Sequence, residues 1–165
     1  MPTLLCVWEQ GGQRGHLAHL RLPIERALAA GYRVIVAARE LQHLPQLLGD
    51  LPLHWLPAPH KPDVQPADQS AFLSYTHILQ RQCFASEDEL IAQLVAWDTL
   101  LQLVKPDGVL FEHSPTALIA AWGRPFRKIL IGNGFSLPPP ASAGQPLAPF
   151  PTTPRTAQVQ AELLA

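Results

Sequence analysis

Residue types with chemistry to offer gather at two places, about a hundred residues apart. The first is Trp8-Glu9-Gln10-Gly11-Gly12-Gln13-Arg14-Gly15-His16, a glycine-rich stretch ending in an imidazole. The second is Glu112-His113-Ser114-Pro115. A histidine with a carboxylate partner is a competent general base near neutral pH. His16 and Glu112 are therefore the candidate catalytic pair, and His113 competes for the role of either neighbour. A helix amino terminus, through its dipole, suits a neutral imidazole, the form that can accept a proton. The plainer alternatives are a surface histidine in a first turn and a solvated carboxylate at a helix start.

The glycine stretch has two readings. In the dinucleotide fingerprint GxGxxG, Gly12 and Gly15 fit the last two positions, but Gln10 occupies the first. The acid that should follow ~20 residues on is replaced by Ala38-Arg39-Glu40, where Arg39 would meet the 2′-phosphate of NADP. The other reading is a tight strand-to-helix turn that needs glycine for its geometry. His16 and His19 have the spacing of a metal-binding pair, but no further ligand accompanies them, and no metal is assigned. Trp8 and Phe135 fall on loops and are candidates for lining an apolar pocket. Gly132-Asn133-Gly134 offers backbone amides to a ligand or forms a plain turn. Trp97 and Trp122 fit helix faces and read as core.

The elements that must position these groups follow from hydrophobic spacing. Thr3 to Val7 reads as a buried strand. Leu17, Leu20, Ile24 and Leu28 recur every three or four residues, which predicts a helix stopped by Gly31. Tyr32 to Ala37 is a second strand, completing a βαβ unit. A short helix over Arg39–Leu48, a weak strand over Leu53–Leu56 and a helix over Asp68–Gln82 come next. Ser86-Glu87-Asp88-Glu89 is a capping box. The helix behind it carries Leu90, Leu94, Trp97, Leu101 and Val104 and closes at Pro106. Asp107–Phe111 holds a fourth strand. Ser114 and Pro115 open a helix as cap and first residue. Lys128–Ile131 is a fifth strand, and Thr153-Pro154 restarts a helix after a glycine- and proline-rich loop. This order predicts an α/β, Rossmann-like, mostly parallel sheet with helices on both faces. If the strand order is 3-2-1-4-5, the first and fourth strands flank the crevice where such sheets bind ligands, and His16 and Glu112 converge there.

Composition narrows the function. In 165 residues, 47% are hydrophobic, which is enough for a sizeable core and excludes general disorder. Twelve basic against thirteen acidic residues give a net charge of −1, with no basic excess for nucleic acid. Charged residues are only 15%, low against ~25% for ordinary soluble domains, so part of the surface is expected to meet a partner. Of 18 prolines, six lie within 45–66 and seven within 138–154, marking both stretches as loops. Cys6 and Cys83 form no metal or redox spacing, and no signal sequence or membrane span is read. A cytoplasmic setting is expected.

The segment from Trp8 to Leu17 resembles the opening loop of GT-B glycosyltransferases, in the bacterial branch of the UDP-sugar-dependent family 1, where a glycine loop ending in Gly-His precedes the first helix. Leu22-Pro23-Ile24 and Arg26-Ala27-Leu28, with Ala30-Gly31-Tyr32-Arg33-Val34, look like the same family's following helix and second strand. Pro106 to Ala117 resembles its fourth-strand segment. Ile131-Gly132-Asn133-Gly134-Phe135-Ser136 with Pro138-Pro139 resembles the loop after its fifth strand. Residues 57–85 match little.

The resemblance implies an inverting transferase. His16 falls on the family's general base. Glu112 falls where many members have Asp, the group that orients the histidine; the extra methylene is a departure. Trp8, Gly12, Gly15, His113, Gly134 and Phe135 would meet the acceptor. The resemblance further implies that residues 1–165 are the acceptor-binding domain, lacking its last strand or strands and the carboxyl-terminal domain. The nucleotide-diphosphate sugar, expected to be a UDP-sugar, would be held by that missing domain or by a partner chain, with no cofactor or metal bound here. The acceptor is expected to be a small apolar molecule with a hydroxyl; a lipid acceptor would add peripheral membrane contact. Two other classes stay open: a single-domain NADP-binding oxidoreductase, and a non-catalytic half-domain acting through a partner.

Overall fold

A computed structural model of the chain describes residues 1–11, 14–61 and 75–132. The elements in order are β1 (Thr3–Trp8), α1 (Arg14–Ala29), β2 (Arg33–Ala38), a 3-10 turn (Leu41–His43) running into α2 (Leu44–Leu48), and β3 (His54–Pro57). Then come α3 (Tyr75–Leu79) with a π-helical turn (Gln80–Phe84), α4 (Glu87–Val104), β4 (Gly108–Glu112), α5 (Pro115–Ala120) and β5 (Arg127–Ile131). Gly134, Phe135, the proline-rich loop and the helix expected from Thr153 lie outside the described residues, as do Gly12 and the start of the helix expected over Asp68–Gln82.

The five strands form one all-parallel sheet in the order β3-β2-β1-β4-β5. β1 is central: Val7 lies opposite Ala37 of β2 and Phe111 of β4. Alternation along the strands separates two cores. Leu4, Cys6 and Trp8 join Val34, Val36, Ala38 and Leu110 beneath Leu17, Leu20 and Ile24 of α1 and Leu44 and Leu48 of α2. Leu5 and Val7 join Ile35, Ala37, Val109 and Phe111 beneath Trp97 and Leu101 of α4 and Ala117 of α5. Helices therefore cover both faces, the architecture of a Rossmann-like fold. A strand buried on both faces reads as a continuous apolar run, which is why Thr3–Val7 is legible without alternation; the strand runs one residue further, to Trp8.

The chain divides into two compact units. Described residues within 1–60 and 92–132 belong to the first, which holds the sheet, and 61 with 75–91 to the second. In the second, the Ser86 hydroxyl accepts the Glu89 N–H at 3.4 Å, half of the expected capping box. The other half is not made, because the Glu89 carboxylate turns to Lys61 Nζ at 2.8 Å.

Gly31 takes φ +81° at the end of α1, the left-handed stop expected of it. Trp97 is fully buried, but Trp122 is 87% exposed. α5 ends at Ala120, so Trp122 falls in the turn closed by Gly123 (φ +71°), where helical spacing no longer directs a side chain inward. Among the described residues no helix is long and apolar enough to cross a membrane.

Candidate functional site

The strand order reverses between β1 and β4, so the loops leaving their carboxyl ends border the crevice. β1 ends at Trp8 and its loop leads into α1, where His16 lies in the first turn. β4 ends at Glu112, and His113 and Ser114 lead into α5.

His16 Nδ1 lies 2.6 Å from Glu112 Oε1. Glu112 is fully buried, whereas the His16 side chain keeps 15% of its surface. With Nδ1–H donating to the carboxylate, Nε2 is left as the ring's proton acceptor. The longer Glu side chain thus still reaches the histidine. His19, one turn further along α1, has its Nδ1 3.9 Å from the same carboxylate oxygen, beyond hydrogen-bond range.

Two aromatic rings flank the His16 imidazole. The Trp8 indole lies 6.2 Å away between centroids at an interplanar angle of 26°. The His113 ring lies 5.3 Å away at 31°. These placements correct the expectation that Trp8 lines a pocket from a loop. Trp8 is the last residue of β1, on the same sheet face as Leu4 and Cys6, and packs fully buried in the core under α1. It backs His16 from within. His113, also expected to meet the acceptor, is buried and takes φ +45°, a left-handed conformation that is costly for a residue with a Cβ. Burial, then the neighbouring His16 charge, push its pKa down to about 4, so it is neutral at physiological pH.

Gly15 is exposed in the first turn of α1, with open space where a Cβ would stand and no left-handed backbone. The glycine that geometry requires is Gly11, at φ +71°, where a Cβ would also lie 2.7 Å from Arg39 Cδ. The Arg39 guanidinium donates to the Gln10 carbonyl at 3.1 Å and so fastens this loop. Among the described residues no group of three or more His, Cys, Asp or Glu side chains is placed to hold a metal ion.

Sequence reasoning passed over Glu9. It is 5% exposed, and its carboxylate accepts the N–H groups of Thr116 at 2.9 Å and Ala117 at 2.8 Å. Its own N–H donates to Ser114 Oγ at 3.0 Å, and the Ser114 hydroxyl donates to the Glu112 carbonyl at 2.9 Å. Ser114 is therefore not the side-chain cap of α5; Glu9, from the opposite loop, takes that place. Burial pushes the Glu9 pKa up to about 7, against the lowering pull of its Thr116 and Ala117 hydrogen bonds and of Arg39. The signal that could have found it was its position, one residue past a central strand, the same rule that singled out Glu112.

The fold and this pair define the class: a Rossmann-like α/β sheet with a carboxylate-supported histidine at its switch point. Comparison with protein-family models and with curated proteins finds no match to the chain.

Proposed function

We propose that this chain supplies the acceptor-binding side and the general base of an inverting, GT-B-like glycosyltransferase that uses a nucleotide-diphosphate sugar, with a UDP-sugar as the first choice. The observation that carries the reading is the 2.6 Å contact between His16 Nδ1 and Glu112 Oε1, at the crevice between β1 and β4. It joins the two residues that the family resemblance assigns to base and orienting carboxylate.

In this reading the acceptor hydroxyl gives its proton to His16 Nε2 as its oxygen forms a bond to the anomeric carbon. The bond from that carbon to the diphosphate oxygen breaks on the opposite side, inverting the centre. Glu112 holds the imidazole in the tautomer with Nε2 unprotonated and stabilises the imidazolium that forms. Gly15, in the first turn of α1, would border the acceptor, and the resemblance assigns Gly12, Gly134 and Phe135 to the same role.

The test is transfer from UDP-glucose to a panel of apolar hydroxyl compounds, with a GT-B nucleotide-sugar domain supplied as a fused or separate chain. Transfer that is lost on His16→Ala supports the reading. Transfer unchanged in His16→Ala removes His16 as the base. NADPH binding to the chain, with no response to UDP-sugar in the fused protein, replaces the reading with the dinucleotide one.

A further inference from the structure

The Glu9 contacts are an unusual solution to an ordinary problem. Ser114 stands at the N-cap of α5, followed by Pro115, a local arrangement that normally satisfies the first amides of a helix. Instead, a carboxylate from 107 residues away accepts the Thr116 N–H and its second oxygen accepts that of Ala117. Burying a carboxylate is costly unless it is fully hydrogen-bonded. The arrangement frees the Ser114 hydroxyl for two other bonds: it accepts the Glu9 N–H and donates to the Glu112 carbonyl. The oxygen accepts the first through a lone pair and the hydroxyl proton makes the second, so the two bonds do not compete.

The residues between these fixed points are Glu112 and His113. His113 holds its left-handed φ of +45°, which turns its ring against His16, while the Glu112 side chain meets His16 Nδ1. A non-glycine residue keeps such a conformation only where its surroundings over-determine it. Glu9 follows β1, the strand whose outgoing loop delivers His16; Ser114, Thr116 and Ala117 follow β4, the strand that ends in Glu112.

We propose that Glu9 is a positioning residue for the His16–Glu112 pair: it ties the loop after β1 to the β4–α5 junction and so sets the register between imidazole and carboxylate. The proposal rests on the reading of His16 and Glu112 as base and orienting group. Its test needs no sugar and no acceptor, so its failure is distinguishable from failure of the transferase reading.

The experiment is nitrogen-15 NMR of the imidazoles in the whole chain, under alkaline conditions where they are neutral, for wild type, Glu9→Gln and Ser114→Ala. In the wild type His16 is the Nδ1–H tautomer, because Nδ1 faces Glu112. Breaking the tie moves the tautomer ratio at least about tenfold toward Nε2–H, about 1.4 kcal/mol. Amide-exchange protection of β1 and β2 stays as in the wild type, which a general loss of structure would not leave intact. If Glu9→Gln fails to fold, Ser114→Ala decides alone, since it removes the hydroxyl between the Glu9 N–H and the Glu112 carbonyl. A folded variant with the wild-type tautomer ratio overturns the proposal. So does a wild type in which His16 is already the Nε2–H form.

Discussion

Removing the titration of Glu9 should change how stability depends on pH. Its carboxyl has an ordinary value of 4.5 in an open chain and is pushed up to about 7 in the fold, with burial as the largest cause. Between these values the folded chain holds a proton that the unfolded chain has released. The stabilisation linked to that proton is complete below pH 4.5 and is lost as pH rises through 7. The span is 7 − 4.5 = 2.5 pH units, and each unit is ~1.36 kcal/mol, so the change is about 3 kcal/mol. Glu9→Gln cannot titrate. Urea unfolding of both proteins across this range gives stability by linear extrapolation. The difference, wild type minus variant, should fall by about 3 kcal/mol from the acid to the neutral end. All other titrating groups are common to both and cancel. Parallel stability curves would refute the reasoning, and would mean that the Thr116, Ala117 and Arg39 contacts fully offset desolvation.

His113 should show the opposite slope: its pKa falls from 6.5 to about 4, so the fold is destabilised as pH drops through that window. His113→Asn, a residue that tolerates left-handed backbone, should lose up to about 3 kcal/mol of this acid sensitivity, read by the same urea series. Gly11→Ala forces a Cβ onto φ +71° and should destabilise by about 1 kcal/mol or more, measured as a lower denaturation midpoint. Cys6 is buried and its thiol is pushed up to about 12, so iodoacetamide should label it only after unfolding, as mass spectrometry will show. In a reconstituted transferase, His16→Ala should lower turnover by about 10²–10⁴-fold, and Glu112→Gln by less, because an amide oxygen still accepts the Nδ1–H.

The sheet was legible because its information is local. Leu17, Leu20 and Ile24 declare a helix face by spacing alone, and all three are buried. Thr3–Val7 and Asp107–Phe111 read as strands, and the strands themselves, Thr3–Trp8 and Gly108–Glu112, are buried throughout. On the supposition of the order 3-2-1-4-5, which the sheet has, the crevice rule then brought His16 and Glu112 together, because strand order fixes which loops are neighbours.

Three side chains escaped that logic, each for a physical reason. Trp122 sits where helical spacing fails, since α5 ends two residues before it. Trp8 belongs to the strand rather than the loop, and pleat alternation sends it into the core. Ser114 has the type and place of a cap, yet its hydroxyl bonds elsewhere because a buried carboxylate reaches the same helix end first.

The sequence by itself determined the five strands, the helices that flank them, and the two chemical clusters at the carboxyl ends of β1 and β4. Periodicity and capping act over a few residues, so one chain suffices to read them. Only the tertiary structure decided that Glu112 Oε1 stands 2.6 Å from His16, that His113 is buried against the same ring, and that Glu9 ties the two loops together. Those distances depend on hydrogen bonds and burial between residues about a hundred positions apart, and no local pattern encodes which donor reaches a shared acceptor first.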